Sequence, residues 1–158
     1  MAYIIDGNNV MGQTPGWHRD RDAARMRLLE LTAEFARLKE ARVAVVFDGA
    51  PESGLPDGSS FRGVRVYYAE RGSDADTRIE RLVESSKDRR GLTVVTSDRR
   101  LALAVRALGA AVMRSGEYRK LVDSVLETRP RAEKGEGAND PSINEWLRYF
   151  GVLPGDED

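Results

Sequence analysis

Apolar residues recur along this chain in two alternating rhythms. Tyr3 to Ile5 is a short β-prone run that stops at Asp6-Gly7-Asn8-Asn9. Val10 to Asp20, with Gly12, Pro15 and Gly16, reads as a loop. From Asp22 to Glu40, Leu28, Leu31, Phe35 and Leu38 return at spacings of three and four, which predicts a long helix with one buried face. Arg42 to Phe47 is continuously apolar, as expected of a strand buried on both faces of a parallel sheet, and it ends at Asp48-Gly49. Ala50 to Gly63 is rich in glycine, proline and serine and predicts a long loop, a feature that usually serves function in a small domain. A strand follows over Val64 to Ala69, then a turn over Glu70 to Asp74 and a helix over Ala75 to Ser86 with Ile79, Leu82 and Val83 inward. Leu92 to Thr96 is a fourth strand, ending at Ser97-Asp98. Arg99 to Leu108 is a helix stopped by Gly109 as a C-terminal cap. Ala110 to Met113 is a fifth strand and Tyr118 to Leu126 a further helix.

The alternation of strands and helices predicts an α/β fold. We expect a three-layer domain over residues 1–127, with a central, mostly parallel sheet of about five strands and helices on both faces. Residues 128–141 lack apolar periodicity and read as a flexible segment. Ser142 and Glu145 form a capping box. Ile143, Trp146, Leu147 and Phe150 then make an apolar stripe on a helix over 142–151, expected to pack on the same domain. Residues 152–158 read as an acidic tail.

The architecture matters because a parallel sheet brings the carboxyl ends of its strands to one edge, where ligands bind. Asp6, Asp48 and Asp98 therefore converge without being close in sequence. Asp76 opens the helix after the third strand, Asp74 lies just before it, and Glu80 lies one turn beyond on the same face. Each acid alone has an ordinary explanation: Asp98 is placed to cap a helix, Asp48-Gly49 to make a turn, and Asp76 to complement a helix dipole. Together, carboxylates crowded at one edge repel one another unless a cation sits among them.

Composition narrows the chemistry. The 158 residues are enough for one domain with a real core. There is no cysteine and one histidine, His18. Disulfides, thiolate zinc sites, cysteine nucleophiles and two-histidine nuclease mechanisms are thereby disfavoured. Hard oxygen donors without histidine or cysteine select Mg2+ or Mn2+ over zinc, and such ions are suited to phosphodiester hydrolysis. The net charge of −1 announces no global basic field, but lysine occurs only at Lys39, Lys87, Lys120 and Lys134, so arginine supplies the rest of the 25 basic residues. Arginine forks match phosphate oxygens. The first apolar run is interrupted at Asp6 and no apolar stretch approaches membrane length, so the expectation is a cytoplasmic protein with no membrane partner, a monomer or weak homodimer.

Four motifs then carry a resemblance. Asp6-Gly7-Asn8-Asn9-Val10, Val46-Phe47-Asp48-Gly49, Ala75-Asp76-Thr77-Arg78-Ile79-Glu80 and Val94-Val95-Thr96-Ser97-Asp98-Arg99 fall in the order and spacing of the NYN domain. The chain more narrowly resembles its bacterial YacP-like branch, related to PIN-domain ribonucleases. Arg114 to Tyr118 also resembles the end of that branch's domain. The resemblance implies a PIN-like fold and a metal-dependent endoribonuclease. It implies Asp6, Asp76 and Asp98 as catalytic acids and ligands of Mg2+ or Mn2+, and Asn9 as the amide that accompanies them. Asp48 matches a second-strand acid. Asp74, Glu80 and Ser97 are accessory candidates.

The expected substrate is single-stranded RNA, cleaved to 5′-phosphate and 3′-hydroxyl ends in mRNA decay or RNA processing, with the ribosome a candidate partner. Arg62, Arg71, Arg78, Arg99 and Arg100 are the candidate phosphate contacts, the 50–63 loop a candidate clamp, and Trp17 and Phe61 candidate stacking platforms. The principal rival is an RNA- or ribosome-binding module without turnover, which the near-neutral charge favours. An aspartyl-nucleophile phosphatase wants a second acid two residues after Asp6, where this chain has Asn8. A dinucleotide-binding domain lacks its glycine-rich loop.

Overall fold

Successive residues of a strand point to opposite faces of the sheet, and the apolar runs divide accordingly between two cores. Tyr3, Ile5, Val43, Val45 and Phe47 join one buried cluster. Ile4, Val46 and Val94 join another on the opposite face. The computed structural model describes residues 1–69 and 72–128. The expectations for Arg71 and for the segment after Thr128, its helix and acidic tail included, lie outside the described residues.

The strands are β1 (Ala2–Asp6), β2 (Arg42–Phe47), β3 (Ser60–Phe61), β4 (Val64–Tyr68), β5 (Leu92–Val95) and β6 (Ala111–Met113). They form one sheet in the order β3-β4-β2-β1-β5-β6, parallel except where β3 pairs antiparallel with β4. The helices are α1 (Gly7–Met11), α2 (Arg21–Lys39), α3 (Ala75–Ser85), α4 (Arg99–Ala107) and α5 (Ser115–Glu127). The first core holds α1, α2 and α5 against one face, through residues such as Val10, Leu28, Phe35, Tyr118 and Val122. The second holds α3 and α4 against the other, through Ile79, Val83, Leu101 and Val105. The three-layer expectation holds, with six strands among the described residues rather than about five.

The extra elements lie where the sequence reads as loop. α1 and a single 3-10 turn, Trp17–Arg19, occupy much of Val10 to Asp20 and the residues before it. Glycine and asparagine are weak helix formers, and α1 stands on tertiary support: Val10 and Met11 are fully buried. β3, two residues long, exists only through its pairing with β4. α5 begins at Ser115, three residues before the apolar pattern announces it.

Gly7 has a packing role that the sequence disguises as a turn. A Cβ there would stand 2.6 Å from Cδ1 and Cε1 of Phe47 and 3.0 Å from the carbonyl oxygen of Val46. Phe47 is itself fully buried, so its ring has nowhere to go. Gly7→Ala is expected to cost about 1–3 kcal/mol, the usual range for overpacking a tight core, read as a lower urea midpoint at unchanged m-value.

Candidate active site

The sheet changes direction of construction at β1. The chain lays β2 and β4 outward on one side, then returns to place β5 and β6 on the other. The crevice beyond the carboxyl ends of β1 and β5 is thus a topological switch point, the position where open α/β sheets bind ligands. Asp6 ends β1 there, and Thr96, Ser97 and Asp98 follow β5.

Thr96 joins the two strand ends. Its hydroxyl donates to Asp6 Oδ2 at 2.9 Å, and its Oγ1 accepts from the Asp98 N–H at 3.1 Å. Asp98 Oδ1 in turn accepts from the N–H groups of Arg100 and Leu101, capping α4. The capping explanation for Asp98 is therefore correct, and it is compatible with a site role. Asp48 works in the same way from the other side: its Oδ1 accepts from Ala75 N–H at 2.9 Å, at the start of α3. That bond ties the end of β2 to the helix carrying Asp76. Asp74 caps the same helix through Thr77 N–H.

The electrostatics identify Asp76 as the hub. Burial, then repulsion from Asp98, Asp74 and Asp48, raises its pKa to about 6. Burial also raises Asp6, to about 7, with Asp76 and Asp48 pushing the same way and the Thr96 hydroxyl and the Asn9 N–H opposing. Two carboxylates whose pKa values are lifted towards physiological pH by burial and by one another are ionised there at a cost that a bound cation would relieve. Among the described residues no group of three or more acids is already arranged to hold a metal ion. The donor chemistry nonetheless fits a hard divalent cation: carboxylate oxygens only, with mutual repulsion that a positive charge would relieve.

The two asparagines of α1 are staples. Asn8 Oδ1 accepts from Asp48 N–H at 3.0 Å. Asn9 Oδ1 accepts from Ser97 N–H at 2.8 Å and from Ser115 Oγ at 2.6 Å. Ser97 Oγ accepts from Ser115 N–H at 3.0 Å. Asn9 and Ser97 thus lock the β1 and β5 loops to α5. Glu80 lines a small crevice with Asp74, Asp76, Thr77, Arg100 and Leu101.

The candidate RNA contacts separate. Arg78 is given other work: it donates to Tyr68 O at 3.1 Å, pairs with Asp57 at 3.0 Å and lies over the Tyr67 ring. These contacts tie α3 to the 50–63 loop through the acid Asp57. Arg62 lies over Phe61 at 5.3 Å, at a backbone φ of 47°. Trp17 and Phe61 are partly buried against the first core, as packing residues. Arg100 stands in the acidic crevice, while Arg99 faces a separate cleft beside α4.

Two positions escape a reading of sequence alone. Thr96 lies within one of the four motifs, but nothing in the sequence marks its hydroxyl as the link between Asp6 and Asp98. Arg25 sits mid-helix in α2 among many arginines, yet it is buried, donates to Ala50 O and Glu52 Oε1, and also bonds Asp48 O.

Comparison with known proteins agrees with the fold. The family model described as the YacP-like NYN domain matches residues 3–147. The crystal structure of Rae1 (YacP) from Bacillus subtilis aligns with a TM-score of 0.67 at 24% identity, covering 94% of this chain and 88% of that one. A point mutant of the same protein aligns with a TM-score of 0.71, also at 24% identity, covering 94% and 91%. No curated protein matches the chain.

Proposed function

The chain belongs to the YacP-like NYN domain family, a PIN-like nuclease family, and from that premise we propose that it is a metal-dependent endoribonuclease acting on single-stranded RNA. The observation that carries the reading is the acidic crevice at the switch point, where Asp76 stands under the influence of Asp98 and Asp48 and in turn raises Asp6. Asp6, Asp76 and Asp98 would hold Mg2+ or Mn2+. The bound ion supplies positive charge against the phosphate and lowers the pKa of water.

The chain's own residues do the rest. Asp48 and Asp74 fix the start of α3 and hence Asp76. Thr96 fixes Asp6 relative to Asp98. Asn9, Ser97 and Ser115 hold the two loops that carry these acids. Fixing the acids before substrate arrives is the main way such a site lowers a barrier. Hydrolysis leaves 5′-phosphate and 3′-hydroxyl ends and needs no 2′-hydroxyl attack, which suits a chain whose single histidine, His18, lies on the 3-10 turn outside the crevice. Cellular targets of this activity lie in mRNA decay or RNA processing, with the ribosome as the candidate setting and the cytoplasm as its place.

The reading is tested with a labelled single-stranded RNA in Mn2+ or Mg2+. Cleavage abolished by a chelator, with products that accept ligation at a 5′-phosphate, is the expected result. Products ending in 2′,3′-cyclic phosphate would sink it. Calorimetry gives a readout independent of turnover: Mn2+ binding is expected for the parent and is expected to vanish in Asp6→Asn/Asp98→Asn. RNA binding without cleavage under any metal would favour instead a binding module, the reading to which the net charge of −1 lends some support.

A further inference from the structure

The acidic crevice lies on one side of α4, and a second feature lies on the other. A cleft of about 510 Å3 opens between α4 and β6. Its lining includes Arg99, Arg106, Arg114 and Leu103, and it reaches Thr96 and Ser97. Thr96 is the residue that bonds both Asp6 and Asp98. The cleft therefore adjoins the candidate active site, with Thr96 in the wall between them.

Three features of the cleft stand out physically. First, it gathers three arginines and no acid. Second, all three are exposed, and among the described residues none forms an ion pair or a side-chain hydrogen bond. Three arginines elsewhere are paired with acids: Arg25 with Glu52, Arg37 with Glu34, Arg78 with Asp57. Third, the spacing is regular. Arg99, Ala102, Leu103 and Arg106 fall at i, i+3, i+4 and i+7, one stripe of α4. The two arginines of that stripe stand two turns apart, roughly 10 Å at 1.5 Å per residue. Arg114, at the end of β6, faces them across the cleft. Leu103 is 68% exposed, an unusual position for a leucine flanked by cations.

Like charges converge on a shared cavity at a cost unless an anion sits between them. Two on one rail and one opposite fit a repeating anion rather than a single ion, and an apolar strip between them fits the sugars and base edges of the same chain. Arginine is the residue suited to successive phosphates. We propose that this cleft is the track for the phosphodiester backbone of the RNA strand flanking the scissile position, with Arg106 and Arg114 as its outer phosphate contacts and Leu103 as an apolar contact. The inference rests on the ribonuclease reading and adds to it the direction in which the substrate strand leaves the acids: past Thr96 and along α4, rather than over the 50–63 loop.

Binding is measured by fluorescence anisotropy in the Asp6→Asn background, so that cleavage does not intervene, with a labelled 20-nucleotide single-stranded RNA across a range of KCl concentrations. Arg106→Glu/Arg114→Glu is expected to weaken binding at least tenfold. It should also flatten the dependence of log affinity on log salt by about 1.4, since each single-strand phosphate that is no longer neutralised removes about 0.7 from the slope. Arg106→Lys/Arg114→Lys is expected to keep most of that slope. A tetranucleotide, too short to follow the cleft, should be weakened far less than the 20-mer. Unchanged affinity and slope in the Glu variant would overturn the track, as would equal weakening for both RNA lengths. If the parent chain cleaves RNA while the variant binds normally, the track alone fails. If the parent neither cleaves nor binds RNA, the ribonuclease reading fails first.

Discussion

Asp6→Asn is expected to lose essentially all RNA cleavage and, in metal-free buffer at pH 8, to melt at a higher temperature than the parent. The two effects have one cause. Asp6 is 5% exposed, and burial together with Asp76 and Asp48 lifts its pKa from 3.8 to about 7. A carboxyl whose folded pKa lies above its unfolded one binds a proton more tightly when folded. Its contribution to stability is therefore fully present below pH 4 and is lost as the pH rises through about 7. At pH 8 the metal-free parent carries an ionised carboxylate that the fold disfavours. A shift of about three pH units corresponds to at most about 4 kcal/mol at 1.36 kcal/mol each. Asparagine removes the charge, keeps the shape and still offers an oxygen to the Thr96 hydroxyl. A gain of several degrees in melting temperature is expected, at about 2–4 °C per kcal/mol for a chain near this size.

The pH profile separates this cause from others. The metal-free parent should lose stability steadily between pH 5 and pH 8, and Asp6→Asn should lose less over the same range. Added Mn2+ should stabilise the parent at pH 8 and leave the variant almost unmoved, because binding that favours the folded state raises its stability by mass action. A variant that cleaves RNA at the parent rate, or that melts lower than the parent in metal-free buffer at pH 8, would refute the assignment.

The parts of this molecule legible in its sequence are those whose causes are local. The α2 pattern, the β2 run and the Asp98 cap each need only neighbouring residues to be recognised, and each stands within a residue or two of its expected bounds. The convergence of Asp6, Asp48 and Asp98 is legible for a different reason: a parallel sheet fixes where strand ends lie, whatever the side chains do. Legibility fails where a residue's role depends on a partner far along the chain. Asn8 and Asn9 read only as the end of a strand, because nothing local says that Asp48 N–H, Ser97 N–H and Ser115 Oγ will meet them in a helix. The pairing of Arg78 with Asp57, 21 positions away, is equally invisible to local pattern. The stripe Arg99–Leu103–Arg106 is visible at helical spacing, but its meaning depends on Arg114 arriving opposite.

Arg25→Ala is expected to destabilise the fold by about 3 kcal/mol and to lower cleavage with it, although its hydrogen bonds run to the loop after β2 and not to the carboxylates of the crevice. The guanidinium is buried over the rings of Phe47 and Tyr68, at 5.2 and 5.5 Å. From there it donates to Ala50 O at 3.0 Å and Glu52 Oε1 at 3.1 Å, and it bonds Asp48 O. One side chain thus ties three points of the chain just after β2. Gly49, between them, has φ of 90°, and a Cβ there would stand 3.2 Å from the Arg25 fork. Deleting the fork leaves two loop carbonyls and a partly buried carboxylate without their donor, a loss at the low end of the range of about 3–5 kcal/mol for breaking a buried pair from one side. It also frees the backbone of Asp48, whose side chain holds the first N–H of α3 and so the placement of Asp76. Lysine is expected to rescue little, because a single ammonium cannot reach three acceptors or stack on two rings. Arg25→Met/Glu52→Gln separates stability from placement: replacing both charges by neutral groups should recover much of the urea midpoint while cleavage stays low. Recovery of both together would show that Arg25 matters only for folding. A single Arg25→Ala variant that unfolds at the parent's urea midpoint would show that the loop after β2 stands without it.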